Sequence, residues 1–150
     1  MAKKLPKKVG DQIDSLSEEG NRLLDAGQHE AARAKFSEAY HLVPDPKEEW
    51  EATMWLTASI GDTLFQQGAF DVALEAFQDA VQLPGGLGNP FVHLRLGELQ
   101  YEAGNMDRAA DELARAYMAA GRDAFEQEDP KYFALVEKVL KPPKGHTRLP

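Results

Sequence analysis

The 150-residue chain contains no cysteine, which removes disulfides, thiolate nucleophiles and cysteine-ligated zinc together. No run approaches the roughly 20 apolar residues of a membrane span. The basic opening MAKKLPKKVG is not followed by the apolar stretch of an export signal. A cytoplasmic protein with no membrane partner is therefore expected. Cations are scarce where a nucleic-acid ligand would need them. All 25 acidic residues lie between Asp11 and Glu137, whereas eight of the 17 basic ones lie before residue 9 or after residue 137. Phosphate backbones are held mainly by cationic side chains that release counterions, so nucleic acid is excluded as a direct partner. The acidity of the body either serves solubility alone or steers a basic protein partner. The lysine-rich ends read as solvated tails.

Groupings that carry catalysis are missing as well. His29, His41, His93 and His146 have neither i,i+4 spacing nor carboxylates in a ligand pattern. The GGLG stretch before Asn89 lacks the lysine and hydroxyl residue of a phosphate-cradling loop, and no serine sits in a glycine-framed turn. No catalytic residue, metal or cofactor is expected, and the chain is not read as an enzyme.

What the chain does have is internal repetition. Gly20, Gly27, Ala32, Phe36 and Ala39 recur as Gly61, Gly68, Ala73, Phe77 and Ala80, and again as Gly97, Gly104, Ala109, Leu113 and Ala116, at intervals of 7, 5, 4 and 3 in each copy. A glycine accepts the left-handed conformation that ends a helix, so the second glycine of each copy predicts a stop between two helices. The alanine, large apolar residue and second alanine then share one face of the following helix. Glycine inside a helix costs roughly 1 kcal/mol relative to alanine, so the first glycine, repeated three times, predicts a close packing contact.

These positions resemble the tetratricopeptide repeat, whose helix–turn–helix unit runs about 34 residues. The first copy, EEGNRLLDAGQHEAARAKFSEAYHLVPDP, is the fullest; the third has Gln100 where an apolar or aromatic residue is usual. The resemblance implies an all-α superhelical stack of three helix pairs plus a C-terminal capping helix. The expected layout is a basic tail at residues 1–10 and one domain at 11–140, with repeats at 13–45, 46–86 and 90–125 and the cap at 130–140. An irregular tail follows at 141–150. The copies are spaced 41 and then 36 residues apart. The first excess is read as a long helix capped by Asp45 and started by Pro46, carrying Trp50, Met54 and Trp55.

In this family the first helix of each pair lines a concave groove. The resemblance places Asn21, Leu24 and Asp25 there from the first copy, Trp55, Asp62, Phe65 and Gln66 from the second, and Phe91, Glu98, Tyr101 and Glu102 from the third. The aromatics are either binding anchors or interhelical packing, and the acids either select cations or face water. The family's carboxylate clamp for chaperone tails maps onto Ser17, Asn21, Ser59, Phe91 and Arg95, of which only Asn21 and Arg95 match, so a clamp is not expected. The remaining reading is a protein-binding module. It is either a small immunity protein that neutralises a basic bacterial toxin domain, or an adaptor or assembly chaperone that holds an amphipathic client segment. Oligomeric state is left open.

Overall fold

A computed structural model describes residues 4–150; Met1, Ala2 and Lys3 of the expected basic tail lie outside the described residues. Among the described residues the chain is all helical. The helices are α1 (Lys7–Asp25), α2 (His29–Leu42), α3 (Glu51–Gln66), α4 (Phe70–Gln82), α5 (Pro90–Glu102), α6 (Met106–Ala120) and α7 (Pro130–Val139), with 3-10 turns at Lys47–Glu49 and Arg122–Phe125. The helices fall into two compact units, one ending at Leu87 and the other running from Gly88 to Pro150.

The turn glycines do what their spacing predicts. Gly27, Gly68 and Gly104 have φ of 77°, 86° and 83°. In each turn the next amide reaches back five residues: Gln28 to the Leu23 carbonyl, Ala69 to Leu64 and Asn105 to Gln100, all at 2.9 Å. This is the 6→1 bond that closes a helix through a left-handed residue. Gln100, out of place by the family pattern, is buried and satisfied there, since its side-chain oxygen accepts from Asn105 at 2.7 Å.

The in-helix glycines are contact points. A Cβ at Gly20 would meet the Phe36 ring at 2.6 Å, one at Gly61 the Phe77 ring at 2.9 Å, and one at Gly97 the Leu113 Cγ at 2.5 Å. The interval code is therefore a record of how each second helix presses its large side chain onto the first. Ala32, Ala73 and Ala109 have no solvent exposure, as their place at these junctions requires.

In the first unit, α1 to α3 share a core of Ile13, Leu24, Phe36, Ala39, Val43 and Leu56. Two boundaries differ from expectation. The basic tail is helical from Lys7, because Leu5 and Val9 pack against this core and Lys7 pairs with Asp11 at 2.8 Å. The insertion does not start one long helix at Pro46. It forms a 3-10 turn, an extended Trp50 and then α3, and the Thr53 hydroxyl donates to the Lys47 carbonyl at 2.6 Å across the break. Met54 is fully buried, Trp50 is half-buried and Trp55 is exposed.

In the second unit, Asn89 caps α5 by accepting from the amides of Phe91 and Val92, and Asp129 caps α7 by accepting from Lys131. His93 is buried and ties three segments together. Its Nε2 accepts from the Gly88 amide at 2.9 Å, which places the proton on Nδ1 for donation to Glu112 at 2.6 Å. The cap and the tail complete this core, where Phe125, Tyr132, Phe133, Val136 and Leu149 surround Leu94, Leu113 and Ala116.

Candidate functional site

The expected groove residues have different fates in the two units. In the first unit Asn21 and Asp25 are exposed on α1, while Leu24 is buried in the core. On α3, Trp55 is 45% exposed. Phe65 is half-buried and stacks with Phe70 of α4 at 5.5 Å. Gln66 donates to Asp62 at 3.0 Å, one turn apart. The unit thus presents an indole, a phenyl pair and amide and carboxylate groups to solvent.

In the second unit the corresponding side chains meet the cap instead. Every residue of α5 from Val92 to Gln100 is buried. Glu98 has no exposure and accepts from Arg95 Nη1 at 2.6 Å, and the same nitrogen donates to Glu128 at 2.6 Å. Burial, a hydrogen bond shared with Glu128 and that group's charge push the Glu98 acid up to about 8, against the pull of Arg95. Glu98 is thus a buried acid held toward its neutral form, not a surface carboxylate. Tyr101 packs edge-on against Tyr132 at 5.3 Å. Glu102, on the exposed end of α5, accepts from Lys131 at 3.1 Å and from the Tyr132 hydroxyl at 3.4 Å. Its carboxylate raises Lys131, chiefly through that hydrogen bond, and adds to burial in raising Tyr132. Phe91 lies under the Arg95 guanidinium at 5.2 Å.

Two consequences follow. Of the acids expected to select a basic partner, Glu98 and Glu102 are engaged inside their own unit. Arg95, one of the two clamp matches, is also committed. Sequence reasoning missed the triad of Arg95, Glu98 and Glu128. Its signal was the i,i+3 spacing of Arg95 and Glu98 within a helix whose polar residues form no separate face. The described residues hold no cluster of three metal-ligating side chains, and no described helix is long and apolar enough to cross a membrane.

The sequence profile described as tetratricopeptide repeat matches residues 17–86 and again 59–130. The chain belongs to the tetratricopeptide repeat family. Solved structures agree at the level of fold. The first tetratricopeptide domain of human RPAP3 superposes with a TM-score of 0.65 at 17% identity, covering 85% of this chain and 94% of that one. The Yersinia enterocolitica type III secretion chaperone SycD, in complex with a peptide of the translocator YopD, gives 0.65 at 16%, covering 85% and 92%. PcrH from Pseudomonas aeruginosa gives 0.65 at 18%, covering 91% and 95%. A comparison with curated proteins finds no match. The two matches together cover all three hairpins, and in the third the cap reaches the end of the first helix through Tyr101 and Glu102.

Proposed function

We propose that this tetratricopeptide repeat protein is a non-catalytic module that holds a segment of a protein client on the face of its first unit marked by Trp55, Phe65, Asp62, Gln66, Asn21 and Asp25. The observation that carries the reading is Trp55, which leaves 45% of a large apolar side chain in solvent on the first helix of a repeat; toward the other end of that helix Phe65 stacks with Phe70. Tryptophan is among the residues that most often dominate binding energy, because it buries a large area at low entropic cost. Asp62 and Gln66 supply acceptors and donors that fix orientation. SycD, which shares the fold, is a chaperone seen with a peptide of a translocator, and client binding extends that mode to this chain.

This reading is favoured over toxin immunity by the electrostatics. Neutralising a basic domain relies on free carboxylates to attract it, and two of the four acids assigned to that task are bound to Arg95 and Lys131. The remaining face sets two acids, Asp25 and Asp62, beside two aromatics, Trp55 and Phe65.

The test is site-specific photo-crosslinking in the native source, with p-benzoylphenylalanine at position 55 and, as control, at the exposed position 78 on α4. A client captured from 55 and not from 78 is then purified and titrated. Trp55→Ala should weaken it roughly 30-fold, corresponding to about 2 kcal/mol for a tryptophan anchor. Equal capture at both positions, or an affinity within twofold of the parent, overturns the assignment.

A further inference from the structure

The insertion between the first two repeats contributes Trp55 to the face just described, and its 3-10 turn builds something of its own. Between the end of α2, the 3-10 turn, α3 and α4 lies a cleft of about 480 Å³, within the roughly 300–1,000 Å³ usual for binding sites. Tyr40, Glu48, Thr57, Ile60, Asp79 and Leu83 line it. Glu48 belongs to the inserted 3-10 turn, so a repeat of ordinary length would lack that wall. On α3 the lining residues Thr53, Thr57 and Ile60 recur at i, i+4 and i+7. At about 100° per residue they occupy the side of the helix opposite Trp55 and Asp62.

The lining leans toward acceptors, although Gln82 and Tyr40 also carry donors. It contains no cationic side chain. The floor hydroxyls spend their protons on the backbone, Thr53 on the Lys47 carbonyl at 2.6 Å and Thr57 on the Thr53 carbonyl at 2.7 Å. What they leave toward a visitor is lone pairs and methyls. Asp79 and Gln82 stand on the last turns of α4, which carries no basic residue in its last turn, so the negative end of that helix is uncompensated. The end of α2 shows how such a helix terminus is satisfied in this protein. Lys47 donates to the Val43 carbonyl while its ammonium lies 5.3 Å from the Tyr40 ring centroid. That lysine also pairs with Asp45 at 3.9 Å, and none of its bonds reaches Glu48 or Asp79.

We propose that this cleft is a second binding site, for a lysine or arginine side chain carried on a short apolar segment of a partner protein. The aliphatic stem lies along Tyr40, Ile60 and Leu83, and the cation reaches Glu48, Asp79 and the carbonyl end of α4. The argument is charge complementarity: the cleft is lined by two carboxylates and the end of α4 and by no cationic side chain, and the nearby cation, Lys47, bonds to the Val43 carbonyl and Asp45.

The experiment uses the full chain and two fluorescein-labelled peptides, Ala-Leu-Arg-Leu-Ala and Ala-Leu-Glu-Leu-Ala, followed by anisotropy at low ionic strength. The arginine peptide should bind at least tenfold more tightly than the glutamate peptide. Glu48→Lys with Asp79→Lys, both exposed positions, should abolish the difference while leaving the helical circular dichroism unchanged. Asp62→Lys, on the other side of α3, should leave it intact, which separates this site from the client face. Equal binding of the two peptides, or a preference that survives the double charge reversal, overturns the proposal. So does concentration-dependent dimerisation lost in the double variant, because the occupant would then be a second copy of the chain.

Discussion

At the scale of single residues, Glu98 shows why chemical type and register do not settle exposure. Its place in the repeat corresponds to a groove position, and an acid there reads as a surface group. The structure surrounds it with Arg95 and Glu128. A buried charge is retained only when it is paired or neutralised, and here the pairing guanidinium serves two carboxyl groups, so one of them takes a proton. The consequence for stability has a definite sign. A carboxylic acid ordinarily ionising near 4.5 but held to about 8 in the fold binds more protons folded than unfolded throughout that interval. Stability therefore falls as pH rises from about 4.5 to about 8 and stops falling on this account above it. Glu98→Gln keeps an acceptor for Arg95 and cannot ionise. Urea midpoints measured from pH 5 to 9 should show the variant gaining on the parent by at most about 1.4 kcal/mol per pH unit across the window, with a constant offset beyond it. Parallel curves for the two proteins would mean that Glu98 ionises normally. The glycines show the opposite case, in which type and register were sufficient. Gly20, Gly61 and Gly97 each sit under the large side chain sixteen positions later because only a missing Cβ leaves room for it.

At the scale of elements, the hairpin turns and the caps at Asn89 and Asp129 were legible, whereas the expected start at Asp45 and Pro46 and the ends of the chain were not. Asn89 before Pro90 and Asp129 before Pro130 announce helix starts through local chemistry, and local chemistry is what a single sequence displays. The early start of α1 depends on Leu5 and Val9 finding the first core, and the break at Trp50 depends on Thr53 reaching Lys47. Both are tertiary facts without periodicity. The segment after α7 is the strongest example. KPPKGHTRLP has no pattern and is irregular in the structure, yet it folds back as a strap. Leu149 is 6% exposed in the core of the second unit, its carbonyl accepts from Arg122 at 3.1 Å, and the Pro150 carbonyl accepts from the Tyr117 hydroxyl at 2.8 Å. Arg122 in turn lies 4.5 Å over the Phe133 ring. Removing a fully buried leucine side chain costs about 2–5 kcal/mol, but a strap can release, which caps the loss at its own docking energy. Leu149→Ala should lower stability by about 1–2 kcal/mol and raise hydrogen exchange in residues 117–125 and 145–150. Leu87→Ala, at a position 75% exposed, should change neither. Unaltered exchange under the strap in Leu149→Ala would show that it does not contribute to the core.

At the scale of the molecule, the repeat code correctly announced hairpins and did not announce that their contents divide into two compact units. Each unit has its own apolar cluster: Ile13, Leu24, Phe36 and Leu56 in the first, and Leu94, Leu113, Phe133 and Leu149 in the second. In repeat proteins stability is approximately a sum of terms for each repeat and its neighbours, so a unit with an apolar cluster of its own keeps those terms when isolated. The second unit adds polar ties that lie wholly inside it, the His93 bridge from Gly88 to Glu112 and the Arg95 triad. Residues 88–150 expressed alone should therefore give a helical circular dichroism spectrum and a single cooperative unfolding transition. Its stability should be near the roughly 3–5 kcal/mol available to a core of this size. The sharper demand is transfer of effects. If the unit folds by its own contacts, Leu149→Ala should shift the fragment by the same free energy as the full chain, and Glu98→Gln should flatten its pH dependence in the same window. A fragment that melts gradually, or one in which Leu149→Ala has no effect, would mean that the cap and the triad are organised from outside residues 88–150.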